Sequence, residues 1–76
     1  MKLLSKDLLI EYGFIRNNLK TSTSVEVMSR EDIDIFIKFD GSIYTINNGI
    51  HYVLKDIAAL RKLYREVKKV ELIPVR

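Results

Sequence analysis

The chain has 76 residues, of which 47% are hydrophobic and 30% charged, and it contains no cysteine. This length predicts one small globular domain over residues 1–76, near the lower size limit for folding without disulfides or metals. The lack of cysteine, together with a single histidine, excludes disulfides, thiolate nucleophiles and a transition-metal cluster. We therefore expect no catalytic constellation, no metal and no other cofactor.

The net charge of +3 is unevenly distributed. Residues 1–54 carry six Lys/Arg against seven Asp/Glu, whereas residues 55–76 carry seven against three. The positive charge therefore belongs to the carboxyl-terminal third. No apolar run approaches the roughly 18 residues that a membrane span needs, and the amino terminus lacks the apolar core of a signal peptide. We expect a cytoplasmic protein without membrane contact.

The first element is predicted to be a short helix over residues 4–12. Ser5 or an earlier residue begins it, and Gly13 ends it in a left-handed conformation. Phe14 then packs back against Leu9, as in a Schellman motif. The apolar residues recur at helical spacing: Leu3, Leu4, Leu8, Leu9 and Tyr12.

Residues 14–24 leave two alternatives open. Phe14-Ile15-Arg16 is suited to begin a strand, whereas Asn17-Asn18 favours a turn. The polar run Thr21–Ser24 predicts either a loop or a sheet edge.

From Val25 onward the apolar residues alternate with polar ones, which predicts strands with one buried face. A turn is expected at residues 29–32. Asp40-Gly41 and Asn48-Gly49 each predict a two-residue hairpin loop, since both central residues of such loops need positive φ. The expected sheet is an antiparallel four-stranded meander.

Two-residue loops would pair Ile37 with Tyr44, Ile46 with His51 and Tyr44 with Val53. The core face would then consist of Ile35, Ile37, Tyr44, Ile46 and Val53. The opposite face would carry the row Phe36, Thr45 and Tyr52, flanked by Asp34, Lys38, Ile43 and Leu54. Since a one-residue slip exchanges the faces, this assignment depends on the loop length.

Three interpretations of the second face remain. A helix covers it, a protein partner or a second copy binds it, or single-stranded bases stack on its aromatic rings beside a cation. The candidate residues for protein binding or self-association are Phe36, Lys38, Ile43, Thr45 and Tyr52.

The longest helix follows, with a basic side away from its apolar stripe. The stripe comprises Ile57, Leu60, Leu63, Tyr64 and Val67. Arg61, Arg65 and Lys68 recur at spacings of four and three residues, so they could neutralise phosphates, although a solvated face has the same pattern. The candidate nucleic-acid residues are Arg61, Lys62, Arg65, Lys68 and Lys69. Residues 70–75 predict a short edge strand or a tail, because Pro74 lacks an amide donor.

Two further features are expected to be structural. His51 has no positioned nucleophile or carboxylate beside it in the pattern, so it makes no catalytic triad. The carboxylates Glu31, Asp32 and Asp34 lack the glycine and terminal glutamate of a calcium loop, which favours a solvated turn.

Three features of the chain are the segment Leu8–Phe14, the hairpins, and the strand Ile50–Val53 that leads into a helix with Leu63-Tyr64. Together they resemble small uncharacterised proteins of gut Bacteroidetes bacteria and their phages. The resemblance implies an origin in a phage or mobile element, and hence a bacterial host, but no defined activity. The basic run Arg65–Lys69 departs from that group and is compatible with a nucleic-acid role.

Together these features predict an α+β domain in the order α-β-β-β-β-α, with a short first helix, an amphipathic last helix and a final short strand as an alternative to a tail. The expected function is that of a non-enzymatic interaction or accessory module acting by protein–protein contact or self-association, for example as a homodimer. The alternative is a small nucleic-acid-binding protein using the basic side of the last helix. No small-molecule substrate is inferred.

Overall fold

In the computed structural model, which describes residues 3–75, a short helix precedes a five-stranded sheet and a longer helix. Neighbouring strands are antiparallel and lie in chain order, so the sheet is a meander. The α+β class and both helices are confirmed. The elements are α1 (Lys6–Glu11), β1 (Ile15–Arg16), β2 (Val25–Arg30), β3 (Ile33–Lys38), β4 (Ile43–Asn47), β5 (Ile50–Val53) and α2 (Ile57–Lys68).

The strand beyond the predicted four is β1, which lies before them in the chain. It pairs Ile15 with Ser29 and Arg16 with Met28 along the edge of β2. The following residues, 17–24, form a loop, which was one of the two alternatives for the Thr/Ser run. The Val27 N–H donates to Thr21 Oγ1 at 2.9 Å. The loop therefore provides hydrogen-bond partners for the backbone of β2 where β1 is too short to pair with it.

The carboxyl-terminal segment is a tail, and residues 71–75 contain no strand. Its anchor is Leu72, whose side chain is fully buried. The Val75 N–H donates to the Glu11 carbonyl at 2.8 Å, which ties the tail to the end of α1. The tail is therefore part of the packed domain.

Local capping explains the ends of α1. The Leu8 N–H donates to Ser5 Oγ at 3.2 Å, which makes Ser5 the N-cap. At the other end, the Gly13 N–H donates to the Ile10 carbonyl and the Phe14 N–H to the Leu9 carbonyl, both at 3.0 Å. With Gly13 at φ +88°, these bonds form the predicted Schellman motif.

The turn between β2 and β3 is tighter than predicted. Arg30 pairs with Ile33, so only Glu31 and Asp32 lie outside the strands. Because β2 extends to Arg30, this side chain reaches the helices. Its Nη1 donates to the Tyr12 carbonyl at 2.7 Å, and its guanidinium carbon lies 5.5 Å from the centroid of the Tyr64 ring.

The predicted register between β3 and β4 is wrong by one residue. Ile37 pairs with Ile43 rather than with Tyr44, and Ile35 pairs with Thr45. The Lys38 N–H donates to the Ser42 carbonyl across a loop of three residues, and the Gly41 N–H donates back to the Lys38 carbonyl. Gly41 alone in this loop has a positive φ, which identifies a type I turn followed by a glycine bulge.

The second hairpin has the predicted register. Asn48 and Gly49 both have positive φ, at 52° and 76°, as a two-residue loop requires. Ile46 pairs with His51 and Tyr44 with Val53. Since only the first hairpin is displaced, the side chains of both β4 and β5 lie on the opposite face of the sheet from the one predicted.

This displacement redistributes the predicted core face. Ile35 and Ile37 remain towards the core, but Tyr44, Ile46 and Val53 lie on the opposite face. Both helices cover the same side of the sheet, so the domain has two layers. We call the covered side the helix face and the other side the open face. The buried core combines residues from both layers: Leu4, Leu8, Leu9, Phe14, Met28, Ile33, Ile35, Ile43, Leu54, Leu60, Leu63, Tyr64 and Leu72.

Candidate functional site

Three ring side chains form a stacked row across the open face. Phe36 on β3 lies opposite Tyr44 on β4, with ring centroids 5.1 Å apart and planes inclined by 16°. Tyr44 stacks in turn on His51 of β5, at 5.8 Å and 6°. The second contact is diagonal, because the residue directly opposite Tyr44 is Val53. Cross-strand stacking of this kind holds the rings in fixed orientations.

Apolar side chains flank this row and are accessible to solvent. Val53 is 70% exposed and Ile46 43% exposed. Phe36 and Tyr44 are half-buried and His51 is exposed. Neither α1 nor α2 packs on this side, since both contribute to the core on the helix face. We call the surface formed by Phe36, Tyr44, Ile46, His51 and Val53 the aromatic face.

Few free charges border the aromatic face. Lys38 lies beside it, with Nζ 5.5 Å from the centroid of the Tyr44 ring. Asp34 accepts hydrogen bonds from Ser29 Oγ and Lys20 Nζ, both at 2.6 Å. Partial burial raises the pKa of Asp34, but these two hydrogen bonds outweigh it, so the pKa lies below its ordinary value. Asp34 is thus ionised and already paired, which leaves a largely apolar surface.

Of the five residues predicted to bind a protein or a second copy, two lie on the open face and three on the helix face. Phe36 and Lys38 lie on the open face as expected. Ile43, Thr45 and Tyr52 lie on the helix face, where Ile43 and Thr45 are buried. Thr45 Oγ1 donates to the Asp34 carbonyl at 2.7 Å, so its hydroxyl is satisfied internally.

The residues that sequence reasoning missed on this surface are Tyr44, Ile46, His51 and Val53. The signal that could have found them is the position of Gly41. Glycine is favoured at the fourth position of a type I turn, and the segment Lys38–Gly41 fits that pattern as well as it fits a two-residue loop. The three-residue loop places Tyr44 beside Phe36.

The basic side of α2 is partly neutralised by nearby carboxylates. Arg61 Nη2 and Arg65 Nη2 approach the two carboxylate oxygens of Glu71 at 3.6 and 2.6 Å. Lys68 Nζ lies 2.6 Å from Asp32 Oδ1 and 3.3 Å from Glu31 Oε2. Only part of the predicted basic row is therefore available to an external anion.

The remaining two basic candidates are Lys62 and Lys69. Within residues 3–75 neither forms an ion pair. Both are exposed. Lys62 follows Arg61 near the start of α2 and Lys69 is its C-cap, so about 10 Å of helix separates them and they do not by themselves make a continuous phosphate-binding row.

The acidic residues Glu31, Asp32 and Asp34 do not converge on one point. The hydrogen bond from Lys68 lowers the pKa of Asp32, and the same bond raises the pKa of Lys68. Asp34 instead faces Ser29 and Lys20. In the described part of the chain no group of three potential ligands could hold a metal ion.

Comparison of the chain with protein-family models, with curated proteins and with solved structures found no match. None of the helices within residues 3–75 has the length and apolar character needed to cross a bilayer.

Proposed function

We propose that this chain is a non-enzymatic interaction module that acts by protein–protein contact, and that it associates with a second copy of itself through the aromatic face and its border at β5. The observation that carries this proposal is the stacked row Phe36–Tyr44–His51 with exposed Val53 and Ile46 beside it. The proposal places the module in the cytoplasm of a bacterial host, encoded by a phage or mobile element.

The chemistry of the aromatic face supports protein contact. Tyrosine and other aromatic residues are enriched at the centres of protein interfaces, where charged residues are scarce. A contiguous exposed apolar surface is unfavourable in a monomer, and burying it provides a driving force for association. In a domain of 76 residues the extra burial would also add to a small stability margin.

Sedimentation velocity over a micromolar to submillimolar range tests this proposal. We expect the weight-average sedimentation coefficient of the wild type to rise with concentration above that of an 8.9 kDa monomer. Val53→Lys should suppress the rise by placing a charge on the surface. Ile73→Lys adds the same charge at a residue of similar exposure in the tail and should leave association intact. A wild type that stays monomeric throughout contradicts the proposal.

A second candidate is nucleic-acid binding by the basic side of α2. The observation that favours it is the convergence of Arg61 and Arg65 on one carboxylate, because two guanidinium groups one turn apart can also hold a phosphate. Glu71 would then compete with the ligand. Glu71→Gln should therefore increase the affinity for a labelled single-stranded oligonucleotide.

The matched control is Arg61→Glu combined with Arg65→Glu, which should abolish binding. Affinity should also fall steeply between low and moderate salt as counterions compete. The absence of binding by both the wild type and Glu71→Gln at low salt would exclude this candidate.

A further inference from the structure

Within residues 3–75 the backbone at the outer edge of β5 is unpaired, and the first outer hydrogen bond lies beyond the strand, where the Leu4 N–H donates to the Lys55 carbonyl at 3.1 Å. Among the described strands, β5 is the last of the sheet and its one partner is β4. The Leu54 N–H donates to the Ile43 carbonyl at 2.9 Å, so in an antiparallel ladder the alternate residues Tyr52 and Ile50 also bond inward. The N–H and C=O groups of His51 and Val53 therefore point away from the sheet.

Within β5 itself this edge has few of the features that usually block edge pairing, and the segment Leu3–Leu4 pairs with Lys55 and Asp56, just beyond the strand. β5 reads Ile-His-Tyr-Val, with neither lysine nor proline, and Val53 and Ile50 are 70% and 54% exposed. At the opposite edge, β1 is only two residues long and includes Arg16. The chain thus protects one edge of its sheet and leaves the other able to accept a strand.

From these features we infer that a second copy of this chain adds to the sheet by antiparallel pairing of β5 with β5. This geometry rests on the proposed self-association and specifies how it occurs. With a two-fold axis at Tyr52, His51 of each copy lies opposite Val53 of the other, and their outward N–H and C=O groups form four hydrogen bonds. The two sheets become one, which joins the two aromatic faces.

The side chains next to the edge suit a two-fold arrangement. Val53 lies between Tyr44 of its own sheet and His51 of the second copy, so the apolar row continues across the junction. On the helix face, α2 borders the edge with exposed Lys62 and Glu66. In a two-fold dimer the same surface of each copy meets its counterpart. A surface that carries one cation and one anion, such as Lys62 and Glu66, is therefore complementary in charge to the same surface of the second copy.

Two variants separate edge pairing from face-to-face stacking. Val53→Pro removes an outward N–H and leaves the bonds to β4 in place, since proline is tolerated where the N–H faces solvent. Ile46→Lys puts a charge on the aromatic face one strand away from the edge. In sedimentation velocity we expect Val53→Pro to be monomeric, Ile46→Lys to weaken association without abolishing it, and Ile73→Lys in the tail to associate like the wild type.

Amide hydrogen exchange of the wild type gives a second measurement that needs no variant. The His51 and Val53 amides should exchange roughly tenfold or more slowly in concentrated than in dilute samples, because pairing protects them. The amide of Leu19 in the exposed loop should exchange equally at both concentrations and serves as the control.

The outcomes distinguish this inference from the proposed function. Association that survives Val53→Pro and is lost in Ile46→Lys, with unprotected His51 and Val53 amides, would overturn edge pairing and retain self-association through the face. A wild type that remains monomeric would overturn both. If Val53→Pro fails to fold, the exchange measurement decides between the edge and the face.

Discussion

Tyr44 stacks on His51 with ring planes 6° apart and centroids separated by 5.8 Å, on the side of the sheet that neither helix covers. Phe36 extends the stack to a third strand. These rings are held by neighbouring strands rather than by a mobile loop, so the surface is preorganised for contact. This relationship depends on the three-residue loop between β3 and β4, which places Tyr44 on the open face.

Adjacent residues on β4 should respond in opposite ways to the same substitution. Thr45 is 2% exposed on the helix face, whereas Ile46 is 43% exposed on the open face. Thr45→Lys buries a charge and breaks the bond to the Asp34 carbonyl, so we expect a loss of more than about 3 kcal/mol in the free energy of unfolding. Ile46→Lys should remain folded with nearly wild-type stability. Urea denaturation followed by circular dichroism measures both, and the reverse order would contradict the register.

The two glycines at similar positive φ should differ in their tolerance of alanine. Gly41 (φ +92°) has open space around an added Cβ, so Gly41→Ala should cost only the conformational strain, about 1 kcal/mol. At Gly13 (φ +88°) the added Cβ would lie 3.3 Å from Val75 Cγ2 and 3.4 Å from the Arg30 side chain. Gly13→Ala should therefore be the more destabilising in urea denaturation. Equal midpoints for the two variants would show that this crowding has no energetic effect.

Neighbouring residues of the tail provide a test of its packing. Leu72 is fully buried, and Leu72→Ala should lower the free energy of unfolding by about 3 kcal/mol through lost burial and the cavity left behind. Ile73 is 58% exposed, so Ile73→Ala should change it by less than about 0.5 kcal/mol. Thermal or urea unfolding compares the pair. A tolerated Leu72→Ala would indicate a tail that is not part of the core.

The ion-paired carboxylates predict a loss of stability in acid. The folded-state pKa of Asp34 lies below the ordinary 3.8, so its contribution is present above pH 3.8 and is lost as the pH falls through the lowered value. Asp34→Asn should therefore flatten the dependence of unfolding free energy on pH below 3.8. Glu66→Gln, which removes a carboxylate without an ion pair in the described chain, should leave the slope nearly unchanged. Urea denaturation midpoints, determined at intervals of about half a pH unit from pH 2 to 5, measure this pH dependence. Equal slopes for the wild type and Asp34→Asn would contradict a role for the Asp34 contacts.

Features with local causes could be predicted from the sequence. Ser5 and Gly13 bound α1 through capping bonds between near neighbours. Asn48-Gly49 set the second hairpin because both residues adopt positive φ. The apolar stripe on α2 can likewise be predicted from helical periodicity alone, and its residues Leu60 and Leu63 are buried.

The first hairpin shows where local reasoning was insufficient. Asp40-Gly41 is compatible with a loop of two residues or of three, and the choice depends on which side of β4 is buried against the helices. That is a tertiary property. The error transferred Tyr44 and Ile46 to the wrong face and placed Thr45 in the aromatic row. The ion pairs that Glu71 and Asp32 make with α2 were also not predictable, since the loops that bring them there carry no periodic pattern.

The most direct test of the central claim is a dilution series of two-dimensional ¹H–¹⁵N spectra of the wild-type chain, recorded from submillimolar to low micromolar concentration. We predict concentration-dependent shifts at Tyr44, Ile46, His51 and Val53, with constant positions for the amides of α1. Spectra that do not change with concentration, or shifts confined to α2 and the tail, would contradict association through the open face and its β5 edge.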